Sequence, residues 1–280
     1  MLLAGCWGSV MAAKGADAWG TQRPSFLASL CVGAIKYKLA HGAFKRPFRN
    51  TLRSYGRPLD ITVRGLKLRC RFGDNHTENS LVEGKTRSDI ENIQRFISCM
   101  GPGDTFVDIG ANCGIYSLFA ARKIGPSGRV VAIEPIPDMA DRARFNLESN
   151  GLDNVSLVQC AVGAEPGTLE LFVNAKQLGK TSFTQSDGAS SVSVRVAPLL
   201  SIAEAEGVAK IDALKIDVEG HEDQVLMPFF SSAPEALWPR FILMEHAHSV
   251  RWRGDLMGQL AQCGYVVIEK TGSDTLLRRQ

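Results

Sequence analysis

No Cys-x-x-Cys pair occurs in this chain of 280 residues, and its seven cysteines stand singly at positions 6, 31, 70, 99, 113, 160 and 263. An odd, scattered set supports neither a disulfide framework nor a zinc knuckle, and it fits a reducing compartment, which points to the cytoplasm. No apolar run approaches the roughly 20 residues that span a bilayer; the best candidate, residues 25–35, is about half that. Leu3-Ala4-Gly5-Cys6 has the look of a lipid-attachment site, but no basic segment and no apolar stretch precedes it, so it reads as chance. With 45% apolar and 22% charged residues, wholesale disorder and a polytopic membrane protein are both excluded.

Acidic residues are scarce in one half only. Residues 1–95 carry 16 Lys+Arg against 7 Asp+Glu, and residues 96–280 carry 16 against 22, so the net +3 conceals a basic part and an acidic part. Between residues 36 and 71 there are 11 basic side chains and a single acid, Asp60. Behind the apolar run 25–35, such a segment suits an anionic membrane surface, an acidic substrate or nucleic acid, or a solvated helix packed on the main domain. Residues 61–71 alternate apolar and basic, as a half-exposed strand does, with Arg64, Lys67, Arg69 or Arg71 on its outer face. The length suits one large α/β domain plus an extension. The division is expected at residue 89, with an apolar helix, a basic segment and one or two strands before it.

From residue 90 the punctuation changes. Thr105–Ile109 is a short β-branched and aromatic run that ends in Gly110-Ala-Asn-Cys-Gly114, followed by an apolar helix over residues 115–124. Residues 129–133 form a second strand ending in Glu134-Pro135, and a helix over 138–150 leads to a third strand over 155–161. Strands alternating with helices predict a doubly wound parallel sheet, Rossmann-like, with ligands at the carboxyl ends of its strands. Glycine lets the backbone approach a ligand, and Glu134 can accept both hydroxyls of a ribose. The turn is Gly-x-x-x-Gly, without the Gly-x-Gly-x-x-Gly of a dinucleotide site. Asp108 is expected to point into the same pocket, where a carboxylate suits a cationic ligand. S-adenosyl-L-methionine, with its amino group, sulfonium and ribose, fits that description. Residues 168–173 and 191–197 read as two strands around a polar loop, an inserted hairpin at the sheet edge.

Phe106-Val-Asp-Ile-Gly-Ala-Asn-Cys-Gly-Ile-Tyr-Ser-Leu, Val131-Ala-Ile-Glu-Pro and Leu214-Lys-Ile-Asp-Val-Glu-Gly-His-Glu together resemble the FkbM-type S-adenosylmethionine-dependent methyltransferases, over about residues 90–270. The resemblance implies a class I methyltransferase fold and O-methylation of a hydroxyl on a sugar, glycolipid or polyketide-like molecule. Carried over by position, Asp108, Gly110, Asn112 and Gly114 line the cofactor loop and Glu134 takes the ribose; Ala161, at the end of the third strand, is a further cofactor-binding candidate. Residues 1–80 inherit little from it.

Methyl transfer from a sulfonium is a direct displacement, so positioning supplies much of the rate, and a base that removes the acceptor's proton adds about 10²–10⁴. The fourth strand, over residues 211–218, places Asp217 at the rim with Glu219, His221 and Glu222 just beyond. His221 opens a helix expected to end near Pro228, and the positive end of that helix favours the neutral imidazole. Asp217, His221 and Glu219 are therefore the catalytic candidates, while Glu219 and Glu222 serve equally well as caps or ion-pair partners. A fifth strand, over residues 241–244, ends in Glu245-His246-Ala247-His248, which with Asp217 could ligate a divalent cation. The spacing is not diagnostic, and a site without metal is the expectation. Two other enzyme classes fare worse. A short-chain oxidoreductase needs Lys four residues after a Tyr, and none of Tyr37, Tyr55, Tyr116 and Tyr265 has one. An amine-directed nucleic-acid enzyme carries a Pro-Pro-Tyr-like turn where this chain has Val218-Glu-Gly-His; RNA ribose methylation and a non-catalytic cofactor-binding protein remain as alternatives.

Overall fold

The computed structural model describes residues 18–36, 44–83, 87–174, 181–182 and 189–280. The lipid-attachment look-alike at residues 3–6 and most of the polar loop 174–190 lie outside these. Among the described residues no helix is long and apolar enough to cross a membrane.

The chain opens with α1 (Phe26–Lys36) and α2 (Lys45–Tyr55), then a hairpin of β1 (Leu59–Val63) and β2 (Leu66–Cys70), then α3 (His76–Glu83) and α4 (Arg87–Ile97). Residues 61–71 are thus two strands and not one. Arg64 and Gly65 both take positive φ, 51° and 82°, which is what a two-residue hairpin turn with the strands' own twist demands. Nor is the basic stripe wholly free. Arg69 bonds Asp60 at 2.7 Å and stacks on Phe145, and Lys67 lies over Trp19. The outer edge of β2 is satisfied by side chains of a distant helix: Asn150 accepts from Lys67 N and Asn146 from Arg69 N, each at 2.8 Å, and Asn150 donates back to the Lys67 carbonyl.

Next come β3 (Thr105–Ile109), α5 (Ile115–Ile124), β4 (Arg129–Ile133), α6 (Pro137–Ser149) and β5 (Val155–Val158). A second small sheet follows, of β6 (Ala161–Val162), β7 (Gly167–Asn174), β8 (Thr181–Ser182) and β9 (Ala189–Ala197), ordered β6-β9-β7-β8. The inserted hairpin is present as β7 against β9, from Gly167 opposite Val196 to Asn174 opposite Ala189. It lies past edge strand β5 in a sheet of its own. The expected third strand breaks at Val158, so Ala161 belongs to the small sheet. Leu171 and Val194 of that sheet pack on Ile136 and Met139 of the α6 region.

The chain closes with α7 (Leu199–Ala205), β10 (Ala213–Ile216), α8 (Glu222–Ser232), β11 (Phe241–Glu245), α9 (Leu256–Gln262), β12 (Tyr265–Lys270) and β13 (Asp274–Arg279). Pro228 does not end α8 but sits inside it. An internal proline costs about 3 kcal/mol, and burial of Phe229 and Phe230 returns roughly 1.5–3 kcal/mol each, which is enough to carry the helix through.

The main sheet runs β12-β13-β11-β10-β3-β4-β5. Strands β11, β10, β3, β4 and β5 are parallel, and β13 is antiparallel to both its neighbours. Side chains alternate between the two faces, and two cores result. Phe106, Val130 and Ala213 meet α4, α5 and the N-terminal elements; Val107, Val131 and Leu214 meet α7, α8 and α9. Helices on both faces make the sheet doubly wound, as expected. Ala28, Ile35, Leu52, Leu59 and Leu68 share the first of these cores with Leu118 of α5, so apolar packing crosses the division expected at residue 89.

Candidate active site

The chain leaves β3 for β4 and β5 on one side and returns at β10 on the other. The carboxyl ends of β3 and β10 therefore form the switch point at which such sheets bind ligands. A cavity of about 760 Å³ opens there, within the range that holds a cofactor with a small substrate.

Gly110 makes the switch point tight. Its φ is +73°, and a β-carbon there would lie 2.1 Å from the Asp217 carbonyl oxygen, so no side chain fits. Gly110 and Ala111 both donate to the Ile133 carbonyl at 3.0 Å, and Asp217 N donates to the Ile109 carbonyl. The three strand ends are stitched together by these bonds. Asn112, at φ +54°, turns the loop so that its own N–H donates to Glu134 Oε2 at 2.8 Å. Ile136 N donates to the other oxygen, Oε1, at 2.9 Å. Burial pushes the Glu134 carboxyl up to about 7. A carboxylate has about four acceptor positions, so roughly two remain after these N–H groups, and Gly110, Asn112, Glu134 and Ala161 all line the cavity.

Asp108 and Gly114 do not. Asp108 is fully buried behind the loop, where its Oδ2 accepts from Ser117 Oγ of α5 at 2.6 Å. It shares a sheet face with Phe106, beneath the loop instead of above it. Gly114, at φ +83°, precedes α5 and packs against Ala143 of α6, 3.2 Å from where its β-carbon would be. Both residues support the loop from outside the cavity lining.

Sequence reading does not single out Lys215, although it is the centre of the site's charge. Its ammonium is buried on β10 and donates to the Gly110 carbonyl at 2.7 Å and the Ile109 carbonyl at 3.3 Å. Asp108 lies 3.7 Å away and Asp217 3.8 Å. Burial works against its charge, but Asp217, Asp108 and Glu134 outweigh that and raise its pKa. A lysine inside an apolar strand run, two residues before an acid on the same face, was the available signal.

On the acceptor side Asp217, Glu219, His221 and Glu245 line the cavity together. His221 stands one residue before α8, and burial lowers its pKa, which keeps the imidazole neutral near pH 7. Burial first, then the charges of Asp217 and Glu219, pushes Glu245 up to about 8. Glu245 thus shares a proton-bearing contact with Asp217, which Lys215 faces at 3.8 Å. Glu219, at φ +55°, faces His248 Nε2 at 3.3 Å. Glu222 does not cap α8 but ties down the loop before it: Oε1 accepts from Val218 N and Gly220 N, and Oε2 from Trp252 Nε1 at 2.8 Å. Glu219, Glu245 and His248 each offer one ligand atom, all within 4.8 Å of one another, a donor set that suits a divalent cation.

Residues before 89 also reach the site. His76, Thr77, Ser80 and Leu81 of α3 form part of the cavity wall. Asn75, buried, donates to Asn112 Oδ1 at 2.7 Å and to Met139 Sδ, and so braces the cofactor loop. Arg142 of α6 is buried among Asp74, Glu78 and Asp138.

Comparison with known proteins agrees with this geometry. Residues 108–270 match the methyltransferase FkbM domain model. The chain belongs to that family. It is a methyltransferase domain whose methyl donor is S-adenosylmethionine, and the residues present suit that donor: the Gly110 loop and Glu134 line the cavity, and Glu134 keeps acceptor positions beyond its two backbone N–H bonds. The methyltransferase sdnD of Sordaria araneosa is 32% identical over 157 residues, 45% of this chain and 60% of that protein. A protein-L-isoaspartate O-methyltransferase of Aeropyrum pernix is 44% identical over 62 residues, 22% of this chain and 23% of the relative. The chain thus spans less than two thirds of the curated relatives it matches. A solved S-adenosylmethionine-dependent O-methyltransferase of Thermotoga maritima is 16% identical at a TM-score of 0.41, covering 69% of this chain and 65% of that one. The strand order, not that overlay, identifies the fold.

Proposed function

We propose that this FkbM-family protein transfers the methyl group of S-adenosylmethionine to a hydroxyl of a carbohydrate, glycolipid or other small hydroxylated molecule. The observation that supports this reading is that Asp217, a neutral His221 and a proton-bearing Glu245 line the same cavity as Gly110 and Glu134. S-adenosylmethionine supplies the electrophilic methyl when bound. The chain's residues do the rest: Glu134 and the Gly110 loop orient the donor, and Asp217 receives the acceptor's hydroxyl proton at its carboxylate. Lys215 and Glu245 hold Asp217 in place, and His221 stands by as an alternative base at the helix start. Glu219, turned toward His248, orients the rim and is the weakest of the three catalytic candidates. The site is read as metal-free and the protein as cytoplasmic.

Incubating the protein with radiolabelled S-adenosylmethionine and pools of sugars, glycolipids and polyols, in parallel with RNA, tests the reading. Label should appear on a hydroxyl of a small acceptor and disappear with Asp217→Asn. Label on RNA ribose, or none on any hydroxyl, would refute it.

A further inference from the structure

Helix α1 is apolar on both sides. Ala28, Cys31 and Ile35 recur at helical spacing and are buried against the core. The opposite side bears Phe26, Leu27 and Leu30, exposed by 82%, 60% and 53%, and Phe44 at the start of α2 is 79% exposed. Of the seven exposed large apolar side chains among the described residues, four belong to α1 or the start of α2; Val250, Val267 and Ile268 lie elsewhere. A helix apolar all round has something on its outer face.

The charge beside that face indicates what. Helix α2, KRPFRNTLRSY, has no acid, and no acid occurs between residues 36 and 59. Its Arg49 is taken up by Glu83. Arg46, Arg53 and the following Arg57 are exposed, and none of them pairs with a carboxylate among the described residues. A second copy would set arginines against arginines. Residues 1–17 hold one Lys and one Asp and offer the arginines no counter-charge. An anionic lipid surface satisfies both the apolar side chains and the arginines, as at interfacial helices with basic flanks.

We infer that the α1–α2 surface docks the protein onto an anionic lipid bilayer, with Phe26, Leu27, Leu30 and Phe44 in the interface and Arg46, Arg53 and Arg57 among the headgroups. Helix α3 touches α1 and supplies His76, Thr77, Ser80 and Leu81 to the cavity wall. Two packed helices, α1 and α3, each about 10–12 Å across, therefore separate the docked face from the methyl-transfer cavity. A hydroxylated acceptor carried on a lipid would be presented to the protein at that surface. The docking itself does not depend on the identity of the acceptor.

The test is sedimentation of the full chain with phosphatidylcholine vesicles and with vesicles of phosphatidylcholine and phosphatidylglycerol, at low and high salt. Binding should favour the anionic vesicles and weaken in salt, because exposed charges are screened. Leu27→Ser with Leu30→Ser should weaken it by about tenfold or more, and so should Arg46→Gln with Arg53→Gln. All four sites are solvent-facing, so the thermal midpoint and S-adenosylmethionine affinity of both variants should match wild type. That keeps a failure of docking separate from a failure of the catalytic reading. Equal sedimentation with neutral and anionic vesicles, or binding untouched by the Leu variant, overturns the inference. So does a wild-type dimer that the Leu variant converts to monomer without vesicle binding, or RNA binding lost in the Arg variant while vesicles are ignored.

Discussion

Replacing Glu134 separates the cofactor assignment from mere fold support. Its two oxygens each take one backbone N–H, from Asn112 and Ile136, and about two acceptor positions remain for the ribose hydroxyls. A hydrogen bond to a charged group contributes roughly 1.5–3 kcal/mol, so losing two costs about 3–6 kcal/mol, or roughly 10²–10⁴ in Kd. Water entering the truncated site recovers part of that, which places Glu134→Ala near the lower end, about 10²-fold weaker. Calorimetry at pH 8 measures it directly. A 2′,3′-dideoxy form of S-adenosylhomocysteine is the control, since wild type should lose about as much on the analogue as the variant loses on the full cofactor. The variant should not distinguish the two ligands. Burial raises this carboxyl to about 7, and the ionised form is the better acceptor, so wild-type affinity should fall roughly tenfold per unit below pH 7 while Glu134→Gln stays flat. Folding has the opposite sign. A raised carboxyl pKa contributes stability at low pH that is lost as pH rises through 7, so the midpoint of Glu134→Gln should gain on wild type between pH 5 and pH 8. Equal affinity for cofactor and dideoxy analogue in wild type would refute the ribose role outright.

Gly110→Ala should abolish cofactor binding by calorimetry, since its β-carbon meets the Asp217 carbonyl at 2.1 Å; wild-type affinity would show that β3 and β10 are not locked together. Asp217→Asn should lower turnover by about 10²–10⁴ and His221→Ala by less, with cofactor affinity near wild type in both; full activity in both variants would remove the proposed bases. Lys215→Met strands the buried Asp108 carboxylate and should cost about 3–5 kcal/mol. That is a fall of roughly 10 °C in melting temperature, partly restored by adding Asp108→Asn. No restoration would mean that Lys215 acts through packing and not charge.

What could be read in advance follows a physical pattern. Thr105–Ile109, Ile115–Ile124 and Arg129–Ile133 stand where the sequence places them, because continuous apolar runs cut by glycine leave little choice of boundary. The place of Gly110 and Glu134 at the cavity was legible for the same reason, each closing a strand at the carboxyl edge of the sheet. Asp108 was misplaced because alternation fixes its parity with Phe106 but not which face opens to the cavity. The role of Lys215 escaped notice because its two carbonyl partners lie 105 and 106 residues away in sequence. Asn75 depends in the same way on Asn112, 37 residues on. Pro228 misled about the end of α8, since local propensity lost to the burial of two phenylalanines.

The edge of the β1–β2 hairpin carries a consequence for how this protein is made. Lys67 and Arg69 leave the ribosome before their backbone partners at the end of α6, which follow 83 and 77 residues later. At roughly 5–20 residues per second, that interval lasts on the order of 4–16 seconds. During it the strand edge is open to pairing with any neighbouring chain. The nascent chain therefore passes through a sticky interval that ends when Asn146 and Asn150 arrive, and chaperone demand should peak between the synthesis of β2 and that of α6.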